Sequence, residues 1–177
     1  ILQLGNIGKE DFSEEAYFDV IRKKTAALFK ASSQSGAVSV GAVQEEVMKA
    51  GLLGEMIGIA FQIKDDIFDY FESPELGKPT GNDMLEGKLT LPALYVLNQT
   101  GDDSLKQTAL KIRSLEASKA EIADFVETVK EKGGIEYATR MMYEFRDKAL
   151  ALVPASADSS LKEALTAYID YVIERNK

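Results

Sequence analysis

Apolar residues recur at helical spacing along nearly the whole chain, and this pattern limits its fold more than any other feature. "DFSEEAYFDVIRKKTAALFKAS" opens the first helix. Ser13 stands at an N-cap position, with Glu14 and Glu15 in the first turn. Tyr17, Val20, Ile21, Ala27 and Leu28 follow at helical spacing and are expected to form its buried face. Further helices are predicted over about 40–49, 52–71, 90–99, 104–114, 119–132, 134–153 and 159–175. Gly101, Gly133 and Pro154 punctuate them. "ESPELGKPTGND" reads as a loop, and only the opening stretch and segment 77–88 lack a helical period. There are four prolines, no internal repeat and no linker. One all-α unit over 1–177, or part of one, is the expectation. "GLLGEMIG" places glycines at 51, 54 and 58, which predicts close helix–helix packing because small residues let backbones approach. Glu55 and Lys64 argue against a membrane dimer of the GxxxG kind.

Composition narrows the chemistry. The chain has 177 residues, with 21 Lys+Arg against 29 Asp+Glu and a net charge of −8. An acidic chain lacks the electrostatic footprint for nucleic acid, so an anionic substrate needs local cations or a metal. With no cysteine, disulfides and thiolate chemistry are excluded. With no histidine, HExxH zinc sites, Ser-His-Asp triads and the commonest general base are excluded too. Carboxylates, lysines, amides and hydroxyls remain. Charges interrupt every apolar run before the length of about 18 residues that a membrane span needs. No basic leader with an apolar centre is present, which predicts a cytoplasmic protein. The first residues, "ILQLGNIGKEDFSEEAYF", read as the end of an element that starts upstream.

"FQIKDDIFDY" puts Asp65, Asp66 and Asp69 inside an otherwise apolar stretch. At about 100° per residue, Asp65 and Asp69 lie a turn apart on one face, and Asp66 stands about 60° from Asp69. Gln62 shares that stripe, and Lys64 is the nearby cation. One reading is a solvated acidic face. The other is a metal site, because like charges so close together repel each other unless something positive faces them. An oxygen-only set without His or Cys suits Mg²⁺ or Mn²⁺ rather than zinc or copper. The segment that follows, "GKPTGNDMLEGK", holds Lys78 and Lys88 with Asp83 between them. It has no P-loop pattern, yet lysines beside acids suit a diphosphate held through a divalent metal. Upstream, "RKKTAALF" sets Lys23, Lys24 and Thr25 in mid-helix.

"FQIKDDIFDYFESPELGKPTGNDMLEGKLTLPALYVL", together with "KTAALF" upstream, resembles the trans-type polyprenyl (isoprenyl) diphosphate synthases. The likeness is to the second aspartate-rich region of the bacterial octaprenyl and solanesyl type. The resemblance implies a helical bundle of the isoprenoid synthase kind around a central cavity. It also implies condensation of isopentenyl diphosphate with an allylic diphosphate, two facing aspartate-rich motifs that bind Mg²⁺ (or Mn²⁺), and a homodimer. Residue by residue, it makes Asp65, Asp66 and Asp69 metal ligands. It makes Lys24, Lys78 and Lys88 the grip on the allylic diphosphate, and Asp83 an acid orienting a lysine or metal-bound water. Thr25 and Gln62 would line the place where the allylic cation forms. The first aspartate-rich motif of such enzymes finds no match here; Asp102-Asp103 lacks a third aspartate four residues on. The chain is therefore expected to be the C-terminal half of such an enzyme, without its N-terminal half and inactive by itself. A non-catalytic helical regulatory or interaction subunit and a terpene cyclase are the competing readings. The "GKPTGNDMLEGK" and "KTAALF" segments fit the synthases better than the cyclases.

Overall fold

The computed structural model describes residues 12–71, 80–155 and 157–174, and every regular element among them is helical. Helix α1 (Glu14–Ile21) runs through a π turn (Arg22–Ala26) into α2 (Ala27–Ser39). Next come α3 (Gln44–Phe68), the single-turn α4 (Asn82–Leu85), α5 (Leu91–Thr100) and α6 (Asp103–Arg113). Helices α7 (Lys119–Glu131), α8 (Gly134–Ala151) and α9 (Ser159–Glu174) complete the order. The chain divides into two compact units: Asp65–Thr139 with the chain up to Tyr17, and Phe18–Lys64 with the chain from Arg140 onward. It passes between them within α1, α3 and α8.

In the first unit, the apolar faces read from the sequence meet in one core. Leu105, Ala109 and Ile112 of α6 join Ile122, Phe125, Val126 and Val129 of α7 around Ala93, Val96 and Leu97 of α5. Caps hold the helix ends as the side chains dictate. Ser13 Oγ accepts from the Ala16 amide at 3.2 Å, and Asp102 Oδ1 accepts from Ser104 and Leu105. At α7, Ser118 and Glu121 exchange hydrogen bonds with each other's backbone amides, forming a capping box.

The second unit departs from the sequence reading in an instructive way. Ala27 and Leu28 are exposed, Leu28 at 69%, whereas Ala26 is 0% exposed. The π turn is the reason. The Ala27 amide reaches back to Arg22 O, so one extra residue is stored there and the buried face moves on by one. The step from buried Ile21 to buried Ala26 is then five residues, which a regular α-helix does not give.

Helix α3 is one helix of 25 residues where two were expected. Its glycines do not break it; they seat it against the helix holding the π turn. A Cβ at Gly58 would stand 2.6 Å from Ala26 Cα, and one at Gly54 would stand 2.5 Å from Phe29 O. The packing expected for "GLLGEMIG" is therefore present. Phe29 and Phe61 meet beside it, ring centroids 5.3 Å apart. Segment 77–88, for which no helical period was found, contains the single turn α4.

Two measurements check this account. Gly58→Ala forces backbones apart and is expected to lower stability to urea by about 1–3 kcal/mol. Gly36→Ala, in α2 with nothing within 4 Å of the new Cβ, is expected to raise stability by up to about 1 kcal/mol. Separately, the Lys111 ammonium, followed by the Ser118 amide and hydroxyl, holds the Glu121 carboxyl at about 2, against an ordinary 4.5. Between these values the unfolded chain binds a proton that the folded chain does not. The Glu121 contribution is thus present above about pH 4.5 and fades as pH falls toward 2. Glu121→Gln should flatten the stability–pH curve in that window and leave it unchanged in shape near neutrality.

Candidate functional site

In the first unit, the end of α3 delivers its acids to different partners. Asp66, 4% exposed, accepts a hydrogen bond from the Tyr17 hydroxyl at 2.5 Å. Burial first, then the charge and hydrogen bond of Asp66, push the Tyr17 phenol well above its ordinary value, so it stays a donor. Tyr70, fully buried beside them, is also pushed up, chiefly by burial. Its hydroxyl lies 3.5 Å from Thr90 Oγ1 at the start of α5.

Asp69, just beyond the end of α3, holds the returning loop with both its main chain and its side chain. The Gly81 amide donates to the Asp69 carbonyl at 2.8 Å, and the Asp83 amide donates to Asp69 Oδ2 at 3.0 Å. Gly81 has a left-handed backbone (φ 77°), and a Cβ there would stand 2.8 Å from Ile122 Cγ2, so only glycine suits the return.

The same loop brings Lys88 beside Asp83. Lys88 Nζ stands 3.6 Å from Asp83 Oδ1, and it also pairs with Glu86. The Lys88 amide closes the turn onto the Asp83 carbonyl at 2.9 Å. The hydrogen bond that Lys88 donates to Glu86 is the main reason its ammonium is held above its ordinary value. Lys78 lies outside the described residues. Asp65 is half-buried on α3.

In the second unit, the π turn carries Lys24 and Thr25. Lys24 is exposed, while its neighbour Lys23 pairs with Asp19 at 2.5 Å. The Thr25 hydroxyl donates to Gln62 Oε1 at 2.7 Å, joining the π turn to α3. Gln62 is one turn before Asp65 and Asp66 on the same helix.

A hard divalent cation fits this donor set chemically, because every candidate ligand is a carboxylate oxygen. Yet among the described residues no group of three or more Asp, Glu, His or Cys is placed to hold a metal ion. Asp66 is turned to Tyr17 and Asp69 to the loop. Any metal held here needs further oxygens, from water or from a substrate phosphate. Two participants were missed in the sequence. Tyr17 looked like an ordinary apolar-face residue, and its only signal was its place on the buried stripe. Glu86 sits two residues before Lys88, a spacing that a loop brings together and a helix does not.

Comparison with known proteins matches the family model described as polyprenyl synthetase to residues 1–129. The chain belongs to the polyprenyl synthetase family. Over its whole length it is 31% identical to octaprenyl diphosphate synthase of Escherichia coli. Among solved structures it is similar to geranylgeranyl pyrophosphate synthase from Bacteroides thetaiotaomicron, with 57% identity over 98% of this chain and a TM-score of 0.92. It is also similar to a polyprenyl synthase from Caulobacter crescentus complexed with calcium and isoprenyl diphosphate. That match has 31% identity over 99% of this chain and a TM-score of 0.84. These matches cover 55%, 58% and 55% of the relatives, so the chain spans about half their length. The all-α fold expected from the sequence is the fold of these synthases. No described helix is long and apolar enough to cross a membrane.

Tyr17→Phe removes the donor to a buried carboxylate and leaves ring packing intact. A loss of about 1.5–3 kcal/mol in urea unfolding is expected. An unchanged midpoint would show that Asp66 does not depend on this bond.

Proposed function

We propose that the chain is the C-terminal half of a metal-dependent prenyltransferase, one that condenses isopentenyl diphosphate with an allylic diphosphate. The observation that carries this reading is the loop pinned by Asp69, which sets Lys88 and Asp83 directly after the acidic end of α3. Carboxylates and a lysine arranged in this way suit a diphosphate and its cation, and the Caulobacter relative was solved with both calcium and isoprenyl diphosphate.

In this reading Asp65, Asp66 and Asp69 supply oxygens to Mg²⁺ (or Mn²⁺). The metal, when bound, lowers the energy of negative charge gathering on the diphosphate. The lysines do the same from the protein. Lys24, Lys78 and Lys88 take up the leaving group's charge as the allylic C–O bond breaks and its electron pair goes to the diphosphate. Asp83 keeps Lys88 turned toward its task. Tyr17 anchors one oxygen of Asp66 and so fixes the direction of the other.

Thr25 and Gln62 meet the opposite charge. The Thr25 hydroxyl fixes the Gln62 amide, so oxygen dipoles are in place before the cation forms. The isopentenyl double bond then attacks the allylic carbon, a C–C bond forms, and the product loses a proton that the released diphosphate can accept. None of these steps asks for a histidine or a cysteine. We further propose that the full-length protein is a cytoplasmic homodimer. The relatives are named for octaprenyl and geranylgeranyl products alike.

The full-length protein carrying this chain should turn over labelled isopentenyl diphosphate with an allylic diphosphate and Mg²⁺. Asp65→Ala should lower kcat by on the order of 10²–10³-fold and weaken Mg²⁺-dependent binding of an allylic diphosphate analogue. The 177 residues alone should form no product. Analogue binding indifferent to both Mg²⁺ and Asp65→Ala would instead favour a non-catalytic interaction subunit.

A further inference from the structure

Glu55 takes no part in the chemistry above, yet it is among the few buried charged side chains described, at 8% exposed. It lies on α3 within the glycine stripe, between Gly54 and Gly58, and both its oxygens are engaged by cations of the facing helix. Arg22 Nε stands 3.1 Å from Oε1, and Lys30 Nζ stands 2.8 Å from Oε2. These two cations bracket the π turn. Arg22 is its first residue, and Lys30 is four residues beyond its last, Ala26.

The bracketing matters because a π turn is a stored insertion. Its extra residue can be expelled toward a helix end, which restores regular α-helix and turns one side of the insertion by about 100°. Such a slip would carry Thr25 away from Gln62. Something must therefore fix both sides of the turn to the same object. The glycine contacts fix distance, since Gly58 lets Ala26 approach, but a smooth glycine surface does not fix register. A carboxylate with one oxygen for each side does. Glu55 is also seven residues before Gln62, two turns along the same face of α3, so its hold and the Thr25–Gln62 bond act in one line.

We propose that Glu55 is a positioning residue for Thr25 and Gln62: by holding Arg22 and Lys30 on either side of the π turn, it keeps Thr25 in register with the amide it orients. It touches no reacting group. Its effect on rate rests on the prenyl-transfer reading, whereas its effect on the turn does not.

The test uses the full-length protein. Glu55→Gln keeps the shape and removes the charge, while Glu55→Lys combined with Arg22→Glu and Lys30→Glu exchanges the charges across the same pair of contacts. Amide hydrogen exchange in segment 22–30 should quicken by about tenfold or more in Glu55→Gln, with α6 and α7 unchanged. Turnover should fall on the order of 10–100-fold in kcat, with KM for isopentenyl diphosphate held within about twofold, as expected when geometry at the reacting centre is lost. The charge-exchanged variant should recover most of the rate and the slow exchange. Exchange in 22–30 that stays within about twofold of wild type in Glu55→Gln overturns the proposal. So does a loss that tracks a general fall in melting temperature and is not rescued by the charge-exchanged variant. If the wild-type protein shows no turnover, the reading of the reaction falls, and the exchange measurement still decides the role of Glu55.

Discussion

The close approach of α3 to the helix running from Arg22 to Ser39 is the constraint on which the second unit depends. At Gly54 and Gly58 the two backbones come so near that a single methyl group would collide with Phe29 O or Ala26 Cα. Contact at that range leaves little room for long side chains, so register becomes all-important. The helix meets the demand by inserting a residue at Arg22–Ala26, which lets Ile21 and Ala26 both face inward. The same insertion that buries Ala26 also presents Thr25 to Gln62.

The first unit solves a different problem, the burial of negative charge. A carboxylate taken out of water is costly unless donors replace the lost solvent. Asp66 receives the Tyr17 hydroxyl, and Asp69 receives a backbone amide from the loop. Neither of these donors carries a full charge, and each fixes the direction of the carboxylate oxygen it meets.

Much of this was legible in the sequence, and the failures have physical causes. Helices α5 to α9 were recovered to within a residue or two because their faces repeat at unbroken helical spacing, with Gly101, Gly133 and Pro154 between them. The acids, Lys88 and Asp83 stood out because charge inside an apolar stretch is conspicuous. The exposed Leu28 was misplaced because a π turn shifts the period by one residue and leaves no composition signal. Residues 40–49 and 52–71 were read as separate helices, whereas α3 runs unbroken through Gly51, which lies close against Gln34. Tyr17 was hidden because a tyrosine on a buried stripe reads as packing. Its hydroxyl finds Asp66 at a separation of 49 residues, and local pattern carries no information at that range.

A net charge of −8 would seem electrostatically misdirected for the diphosphate chemistry proposed above, and the resolution lies in distance. Unit charges more than about 8–10 Å apart in physiological salt are largely screened from one another. The overall excess of acid therefore sets solubility, while the few groups within reach of the ligand set its binding. The exposed Lys24 carries its charge on a flexible stem at the surface, while the ammonium of the loop-held Lys88 is paired with Asp83 and Glu86. In the proposed reaction the anion arrives already paired with its metal, and the acids then attract that pair where lysines alone would have to overcome them. In that reading the aspartates take the metal and the lysines take the diphosphate, so the acid excess of the chain does not oppose binding.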